Sequence, residues 1–268
     1  MGAVVIEVVV IDAIALVFSR QGFIVEPRPM STRPSICSVR PLGTLPLRMV
    51  PDADSLQSTS LQSVAESLCA TARWCYTQGW VPATSGNFSV RVNGRIMVTA
   101  SGLDKGTLTP AGLLEVDSGG AVLSGTGKPS AETGLHLVLY RARPDAGAIL
   151  HVHSIWNTLI SARNASLGYV PIEGYELLKG LSGVTTHAHL ERVPILENAQ
   201  NYADLASQLA SALDANPQAH GVLLSRHGLY TWGQSVAEAR RHLEALEFLF
   251  QVEERRLLGG QPETLIDL

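Results

Sequence analysis

The spacing of hydrophobic and polar residues changes along the chain and predicts both helices and strands. Residues 61–75 carry apolar side chains at the i, i+3, i+4 and i+7 spacing of an amphipathic helix. Residues 88–92 then alternate between apolar and polar, and the pair Asn93-Gly94 separates them from a second run at 95–99. Asn-Gly between two alternating runs is a strong signal for a β-hairpin.

Later segments predict further helices and strands in turn. A capping Ser130 predicts a helix that runs to Arg141. Helices are also predicted at 154–162, 201–213 and 235–258, a helical turn at 173–180, and strands at 147–154, 192–196, 220–225 and 229–232.

The first part of the chain differs in composition from the rest. Residues 1–20 are strongly apolar but contain Glu7 and Asp12, and the following segment to residue 60 is rich in proline, serine and arginine. We therefore interpret residues 1–57 as a poorly ordered extension and 58–268 as the folded domain. A translation start at Met30 or Met49 would also explain this break.

Composition and charge limit the classes of partner. With 46% hydrophobic residues the chain can bury a sizeable core. The net charge is −4 and no basic stripe with interleaved aromatic residues occurs, so a nucleic-acid partner is not expected. Residues 1–20 are too short and too acidic to span a membrane convincingly. The three cysteines form no CxxC pair, which favours a cytoplasmic location.

Two histidines in the apolar run at 147–154 have the spacing of a metal site. Side chains at i and i+2 of a strand leave the same face roughly 6.5 Å apart, so His151 and His153 can approach one ion. A catalytic zinc usually takes three protein ligands, and His227 closes a second apolar run. The alternative is that His151 and His153 only end a core strand. A second pair, His187 and His189, lies among polar residues and predicts an exposed loop.

Small residues that could bind an anion occur in three loops. They are Ser85, Gly86 and Asn87 before the hairpin, Ser101 and Gly102 after it, and Ser130. Backbone amides in such loops and at helix N-termini bind phosphate, although most clusters of this kind are simply turns. Glu132 follows Ser130, where the helix dipole alone would favour a carboxylate. From its position alone, Glu176 is expected to face solvent.

In this order the motifs resemble those of the class II aldolase and adducin family. The resemblance covers about residues 61–258 and depends on Thr84–Asn87, Ser101–Gly102, Lys128–Glu132, His151–His153, Gly174–Gly180, Pro194–Asn198 and Arg226–Gly228. It implies an α/β fold of three layers, in which helices flank a mainly antiparallel central sheet. It also implies a homotetramer with active sites near the subunit interfaces.

The resemblance assigns roles to residues of this chain. It implies one Zn²⁺ per subunit, held by His151, His153 and His227. It implies a phosphate pocket made by Ser85, Gly86, Asn87, Ser101, Gly102 and Ser130, with Ala131 where sugar-phosphate aldolases often have a second serine. Glu132 matches the catalytic glutamate of the aldolases, whereas Glu176 matches the proton donor of a dehydratase branch. We favour Glu176 because 174–180 and 194–198 resemble that branch.

The expected function is zinc-dependent dehydration of a small ketose 1-phosphate. A zinc-dependent sugar-phosphate aldolase or epimerase is the first alternative, since Glu132 is retained. The second is a non-catalytic, adducin-like binding module. Such modules lack the metal histidines, so the presence of all three argues against it.

Overall fold

A computed structural model of the protein describes residues 53–258, with side chains from 61 to 257. The predicted extension at 1–57 lies outside the described residues, apart from the few that belong to the first helix. That helix begins at Ala53 rather than near Leu61.

The described residues form five α-helices and nine strands. The helices are α1 Ala53–Thr77, α2 Thr133–Ala142, α3 Ile155–Arg163, α4 Tyr202–Ala215 and α5 Val236–Leu258. The strands are β1 Asn87–Val92, β2 Arg95–Thr99, β3 Leu113–Val116, β4 Val122–Ser124, β5 Ala148–Val152, β6 Tyr169–Ile172, β7 Glu191–Leu196, β8 Gly221–Leu224 and β9 Gly228–Gly233. The predicted hairpin is present as β1 and β2, and the predicted helical turn as a 3₁₀ helix at Glu176–Gly180.

The prediction that Ser130 caps α2 is wrong, because the helix begins later. The segment before α2 is held extended, since the Ser101 amide donates to the Lys128 carbonyl and Pro129 bridges to Ala100. The Ser130 hydroxyl instead accepts a hydrogen bond from the Glu132 amide at 3.2 Å. Glu132 therefore takes the position just before the first helical residue.

The strands form one sheet in the order β4-β3-β2-β1-β5-β9-β8-β7-β6. Every pair is antiparallel except β7 and β8. The expected mainly antiparallel sheet, flanked by helices, is thus confirmed.

Alternate residues of the central strand β5 enter different cores. Leu150 is fully buried in a cluster that contains Leu68 of α1 and Leu246 of α5. Its neighbour Ile149 is buried in a second cluster that contains Leu139 of α2 and Leu209 of α4. Side chains alternate across a strand, so the two clusters mark the two faces of the sheet. Even-numbered residues of β5 thus face α1 and α5, and odd-numbered residues face α2 and α4.

Two further features of the described residues concern membrane-spanning helices and cysteines. Among residues 53–258, no helix is both long and apolar enough to cross a membrane. Cys69 and Cys75 of α1 are buried and form no disulfide.

Candidate metal centre

The register of three central strands places polar residues in one row. His151 of β5 lies opposite Asn87 of β1 on one side and opposite Tyr230 of β9 on the other. Residues directly opposite each other share a face of the sheet, so this row faces α2. The imidazole of His151 is fully buried and stacks on the Tyr230 ring, with 3.9 Å between ring centroids. The sheet itself therefore fixes the orientation of His151.

The other two predicted metal histidines meet His151 at the end of this row. His153 follows β5, and its Nε2 lies 2.8 Å from His151 Nε2. His227 lies in the turn between β8 and β9, where the preceding Arg226 adopts a left-handed conformation (φ +57°). Its ring centroid is 5.1 Å from that of His151 and 4.6 Å from that of His153. The three histidines thus lie together.

The close surroundings of position 228 explain why a glycine follows His227. A Cβ atom at this position would lie 2.8 Å from His151 Cε1 and 3.0 Å from His153 Cδ2, and closer still to the Val152 carbonyl oxygen. Any side chain here would displace the imidazoles.

Two of the three rings are oriented by a bond to the nitrogen that faces away from the cluster. His151 Nδ1 donates to the Leu229 carbonyl at 3.0 Å, and His227 Nδ1 lies 3.2 Å from the Asn198 side-chain oxygen. Both rings therefore present Nε2 to the cluster, as metal-bound imidazoles normally do. Sequence analysis assigned no role to Asn198, although it lies in the 194–198 motif.

Glu132 is the fourth member of the cluster. Its Oε1 lies 3.1 Å from His227 Nε2, and its Oε2 lies 3.3 Å from His151 Nε2. Asn87 Nδ2 and the Tyr230 hydroxyl also donate to Oε2, at 2.7 and 3.1 Å. The carboxylate is thus engaged by the row of polar residues and does more than complement the helix dipole.

The surroundings of Glu132 favour its ionised form. Burial alone would raise the pKa of this carboxyl group, but His151 and the hydrogen bonds from His227 and Asn87 outweigh burial and hold the pKa well below its usual value. Two of the imidazoles, those of His151 and His153, are held neutral, because burial lowers the pKa of His151 strongly and, together with the nearby His227, that of His153 to about 4. Neutral imidazole and ionised carboxylate are the forms that bind metal ions.

A chain of buried hydrogen bonds fixes the Asn87 amide. Burial lowers the pKa of His136 to about 4, so its ring is neutral. His136 Nδ1 accepts from the Ser89 hydroxyl at 2.7 Å, and its Nε2 donates to Asn87 Oδ1. Asn87 must then direct its NH₂ group at Glu132. Sequence analysis did not select His136, whose only signal was a polar residue on the buried face of α2.

The predicted anion-binding residues line one cavity beside the histidines. This cavity, which we call the substrate pocket, has a volume of about 230 Å³. Its walls include all of Ser85, Gly86, Asn87, Ser101, Gly102 and Ser130, together with Glu132 and His153. The Ser85 hydroxyl is buried and has no hydrogen-bond partner among the described residues. Lys105 and Tyr202 also line the pocket, and sequence analysis missed both.

Glu176 does not join this cluster within its own chain. Its side chain is 73% exposed, and its carboxylate pairs with Lys179 at 2.6 Å and lies 3.8 Å from His187. It does not line the substrate pocket. Its exposure agrees with the expectation from position alone. His187 and His189 lie in a loop, as predicted, and His189 pairs with the buried Glu191 at 2.9 Å.

The donor set fits a divalent metal ion such as zinc. One ligand atom each from Glu132, His151, His153 and His227 all lie within 4.8 Å of one another. Three imidazoles, with or without a carboxylate, form a set that catalytic Zn²⁺ commonly uses. The neighbouring pocket provides room for a substrate at such an ion.

The fold and the cluster together define the class of protein. Residues 66–253 match the family model described as "Class II Aldolase and Adducin N-terminal domain". The chain belongs to this family. Among solved structures, it is similar to the L-fuculose-1-phosphate aldolase from Thermus thermophilus, with 27% identity and a TM-score of 0.57. That comparison covers 78% of this chain and 99% of the aldolase.

Relatives with higher identity carry a more particular name. The chain is 46% identical over 198 residues to a methylthioribulose-1-phosphate dehydratase from Serratia proteamaculans, covering 73% of this chain and 97% of the relative. It is 47% identical over 201 residues to the methylthioribulose-1-phosphate dehydratase from Methylococcus capsulatus, covering 75% and 97%.

Proposed function

We propose that the protein is a methylthioribulose-1-phosphate dehydratase, a hydro-lyase of methionine salvage that acts in the cytoplasm as a homotetramer. Identity of 46–47% over nearly the whole length of two dehydratases carries the choice of reaction. The cluster of His151, His153, His227 and Glu132 beside the substrate pocket supports it. We further propose that residues 58–268 form the catalytic domain and 1–57 an extension.

The reaction removes one water molecule from the ketose 1-phosphate. A proton leaves C3, the C4–O bond breaks, and the hydroxyl group departs as water after it takes up a proton. The enol that remains tautomerises to the 2,3-diketone. The chain must therefore supply an acceptor for the C3 proton and a donor for the leaving hydroxyl.

The residues of the cluster and the pocket divide these tasks. The three histidines would hold one Zn²⁺ per subunit, and the chemistry that it supplies when bound is Lewis acidity toward the C2 carbonyl. Ser85, Gly86, Asn87, Ser101, Gly102 and Ser130 would hold the phosphate. Glu132 is ionised and can accept the C3 proton. Glu176 gives a proton to the leaving hydroxyl.

The exposure of Glu176 is compatible with this role in an oligomer. The side chain is free of the cluster in its own chain, so in a homotetramer it is available to the site of a neighbouring subunit. This arrangement would place the active site near a subunit interface, as the family resemblance implies.

A zinc-dependent aldolase is the second candidate, and one observation favours it. Glu132 lies in the histidine cluster, as the catalytic glutamate of an aldolase should, whereas Glu176 does not. In that case the C3–C4 bond would break instead of the C4–O bond.

One experiment separates these two functions. Zinc-loaded protein is given methylthioribulose 1-phosphate and, separately, fuculose 1-phosphate and ribulose phosphate, and the products are identified by mass spectrometry. We expect loss of one water from methylthioribulose 1-phosphate and little turnover of the others. Release of dihydroxyacetone phosphate without loss of water would overturn the proposal. Absence of bound zinc after loading would contradict both functions.

A further inference from the structure

A buried lysine lies on the wall of the substrate pocket. Lys105 begins a short 3₁₀ helix, Lys105–Thr107, just after the Ser101–Gly102 loop. Only 1% of its surface is exposed. Of the described residues that line the pocket, it is the only lysine or arginine.

The hydrogen bonds of Lys105 leave one donor unused. Its Nζ donates to the carbonyl oxygens of Thr84 at 2.8 Å and Leu103 at 2.9 Å. An ammonium group carries three N–H donors, and the third has no acceptor among the described residues. The two carbonyl contacts hold Nζ in place, so this remaining donor is preorganised.

A second unpaired donor lies on the same pocket. The Ser85 hydroxyl is buried without a partner among the described residues. Buried polar groups are nearly always hydrogen-bonded, so two incomplete groups on one cavity indicate a ligand with acceptor atoms. The N-terminus of α2, just after Ser130 and Glu132, adds backbone amides and a favourable dipole for an anion.

A phosphate monoester matches the unused donors of Lys105 and Ser85 in this pocket. Burial lowers the pKa of Lys105, and the nearby Asp104 opposes this effect only in part. A phosphate monoester carries nearly two negative charges at neutral pH. It would accept the third hydrogen bond of the Lys105 ammonium group and would be attracted by the positive charge of that group.

We propose that Lys105 binds the phosphate group of the substrate and determines the preference for phosphorylated over unphosphorylated ketoses. This inference rests on the proposed function only in that the substrate is a phosphate ester. The merely structural alternative is that Lys105 only ties the Thr84 and Leu103 segments together.

The variant Lys105→Gln separates these two roles. A glutamine side chain has two N–H donors, enough for the two carbonyl oxygens, but it has no charge and no third donor. Lys105→Met removes all three donors. Lys128→Met, which alters an exposed lysine that does not line the pocket, is the matched control. Circular dichroism and thermal melting establish that each variant is folded.

Two measurements are made on each folded variant. The first is the dissociation constant for inorganic phosphate, by calorimetric titration, which requires no turnover. The second is kcat/KM for methylthioribulose 1-phosphate and for unphosphorylated methylthioribulose. We expect Lys105→Gln to weaken phosphate binding about tenfold or more, the effect of one charge-assisted hydrogen bond. We expect a similar loss of kcat/KM for the phosphorylated ketose alone, mainly through KM.

The outcomes distinguish the two roles of Lys105, and they separate a failure of this inference from a failure of the proposed function. Equal fractional losses with both ketoses, or phosphate binding unchanged from the wild type, would overturn the inference. Failure of the wild-type protein to bind inorganic phosphate, together with unchanged kinetics in Lys105→Gln, would do the same. If the wild-type protein dehydrates neither ketose, the proposed function fails, and the phosphate titration alone still decides whether Lys105 binds the anion.

Discussion

Glu132 Oε1 lies 3.1 Å from His227 Nε2, although one residue precedes α2 and the other lies in the turn between β8 and β9. Glu132 is the only carboxylate of this cluster, and His227 is the histidine of the cluster that lies farthest from it in sequence. The contact makes Glu132 part of the cluster that could hold a metal ion.

We predict that Glu132→Gln impairs both metal binding and turnover. Loss of the negative charge beside three imidazoles should weaken zinc binding about 10–100-fold, and loss of a proton acceptor should lower kcat by about 10²–10⁴. Competition with a chelator measures zinc affinity, and steady-state kinetics at saturating zinc measures kcat. Glu66→Gln, an exposed change on α1, is the control. Wild-type values in Glu132→Gln would remove Glu132 from the mechanism.

Gly228→Ala should disrupt the metal centre, because the new Cβ would press on His151 and His153. We expect a loss of stability of about 1–3 kcal/mol from overpacking and a loss of bound zinc. The control is Gly134→Ala in α2, where a Cβ meets nothing within 4 Å. This change should stabilise the protein by about 0.5–1 kcal/mol. Urea unfolding of both variants checks the two signs, and normal zinc content in Gly228→Ala would be the contrary result.

Asn198 should tune zinc affinity through His227. Asn198→Ala removes the acceptor for His227 Nδ1, so the ring loses its fixed orientation and zinc binding should weaken about 10-fold or more. Asn198→Asp keeps an acceptor and should retain or strengthen binding. Equal zinc affinity of the wild type and Asn198→Ala would show that the contact does not orient the ring.

The contribution of Glu247 to the stability of the folded protein should fall with rising pH. Burial raises the pKa of this carboxyl group from 4.5 to about 7, against the hydrogen bonds from Ser154 and Asn157. The folded state therefore keeps a proton that the unfolded state has lost, so the contribution of Glu247 to stability decreases between about pH 4.5 and 7. Glutamine cannot ionise. Relative to the wild type, the free energy of unfolding of Glu247→Gln should therefore be about 1–3 kcal/mol higher at pH 8 than it is at pH 4.5.

Urea unfolding of the metal-free proteins at several pH values tests this slope. Glu244→Gln, on the exposed part of the same helix, should follow the wild type throughout. Parallel curves for Glu247→Gln and the wild type would mean that the buried carboxyl group does not retain its proton.

Complementation should reveal whether Glu176 serves a neighbouring subunit. His153→Ala lacks a metal ligand and should be inactive with little loss of fold, since an open catalytic metal site contributes less to folding than a closed one. Glu176→Gln should bind zinc normally but lose about 10²–10⁴ in kcat. Subunits of the two inactive variants, dissociated and reassembled together, should regain activity only if one site draws residues from two chains. Collapse of the circular dichroism spectrum in His153→Ala would instead show a structural metal.

The sequence allowed the prediction of local elements and of the His151–His153 pair, because both depend on spacing along the chain, whereas His227 came from its place after a second apolar run and from the family resemblance. The hairpin of β1 and β2 and the His151–His153 pair follow directly from period-two patterns. The order of the strands did not follow from periodicity; it came from the family resemblance. Patterns along a chain say little about which distant strands pair.

The family resemblance offered Glu132 as a catalytic glutamate, but the residue pattern alone could not place it beside the histidines, because its position depends on long-range register. It reaches the histidines only because Asn87, His151 and Tyr230 share one row and α2 begins after residue 132. Lys105 gave no signal either, since a lone lysine in a loop is normally exposed. Its burial is set by the approach of the Thr84 and Leu103 carbonyls.

The row across β1, β5 and β9 also has a consequence for how the protein matures. The imidazoles come from positions 151, 153 and 227, so a ribosome-bound chain that does not yet extend beyond β8 lacks one of the three histidines. In the proposed enzyme, binding of the ion would therefore be a late event in biogenesis. A pulse of radioactive zinc during synthesis would label completed polypeptides and leave truncated ones unlabelled.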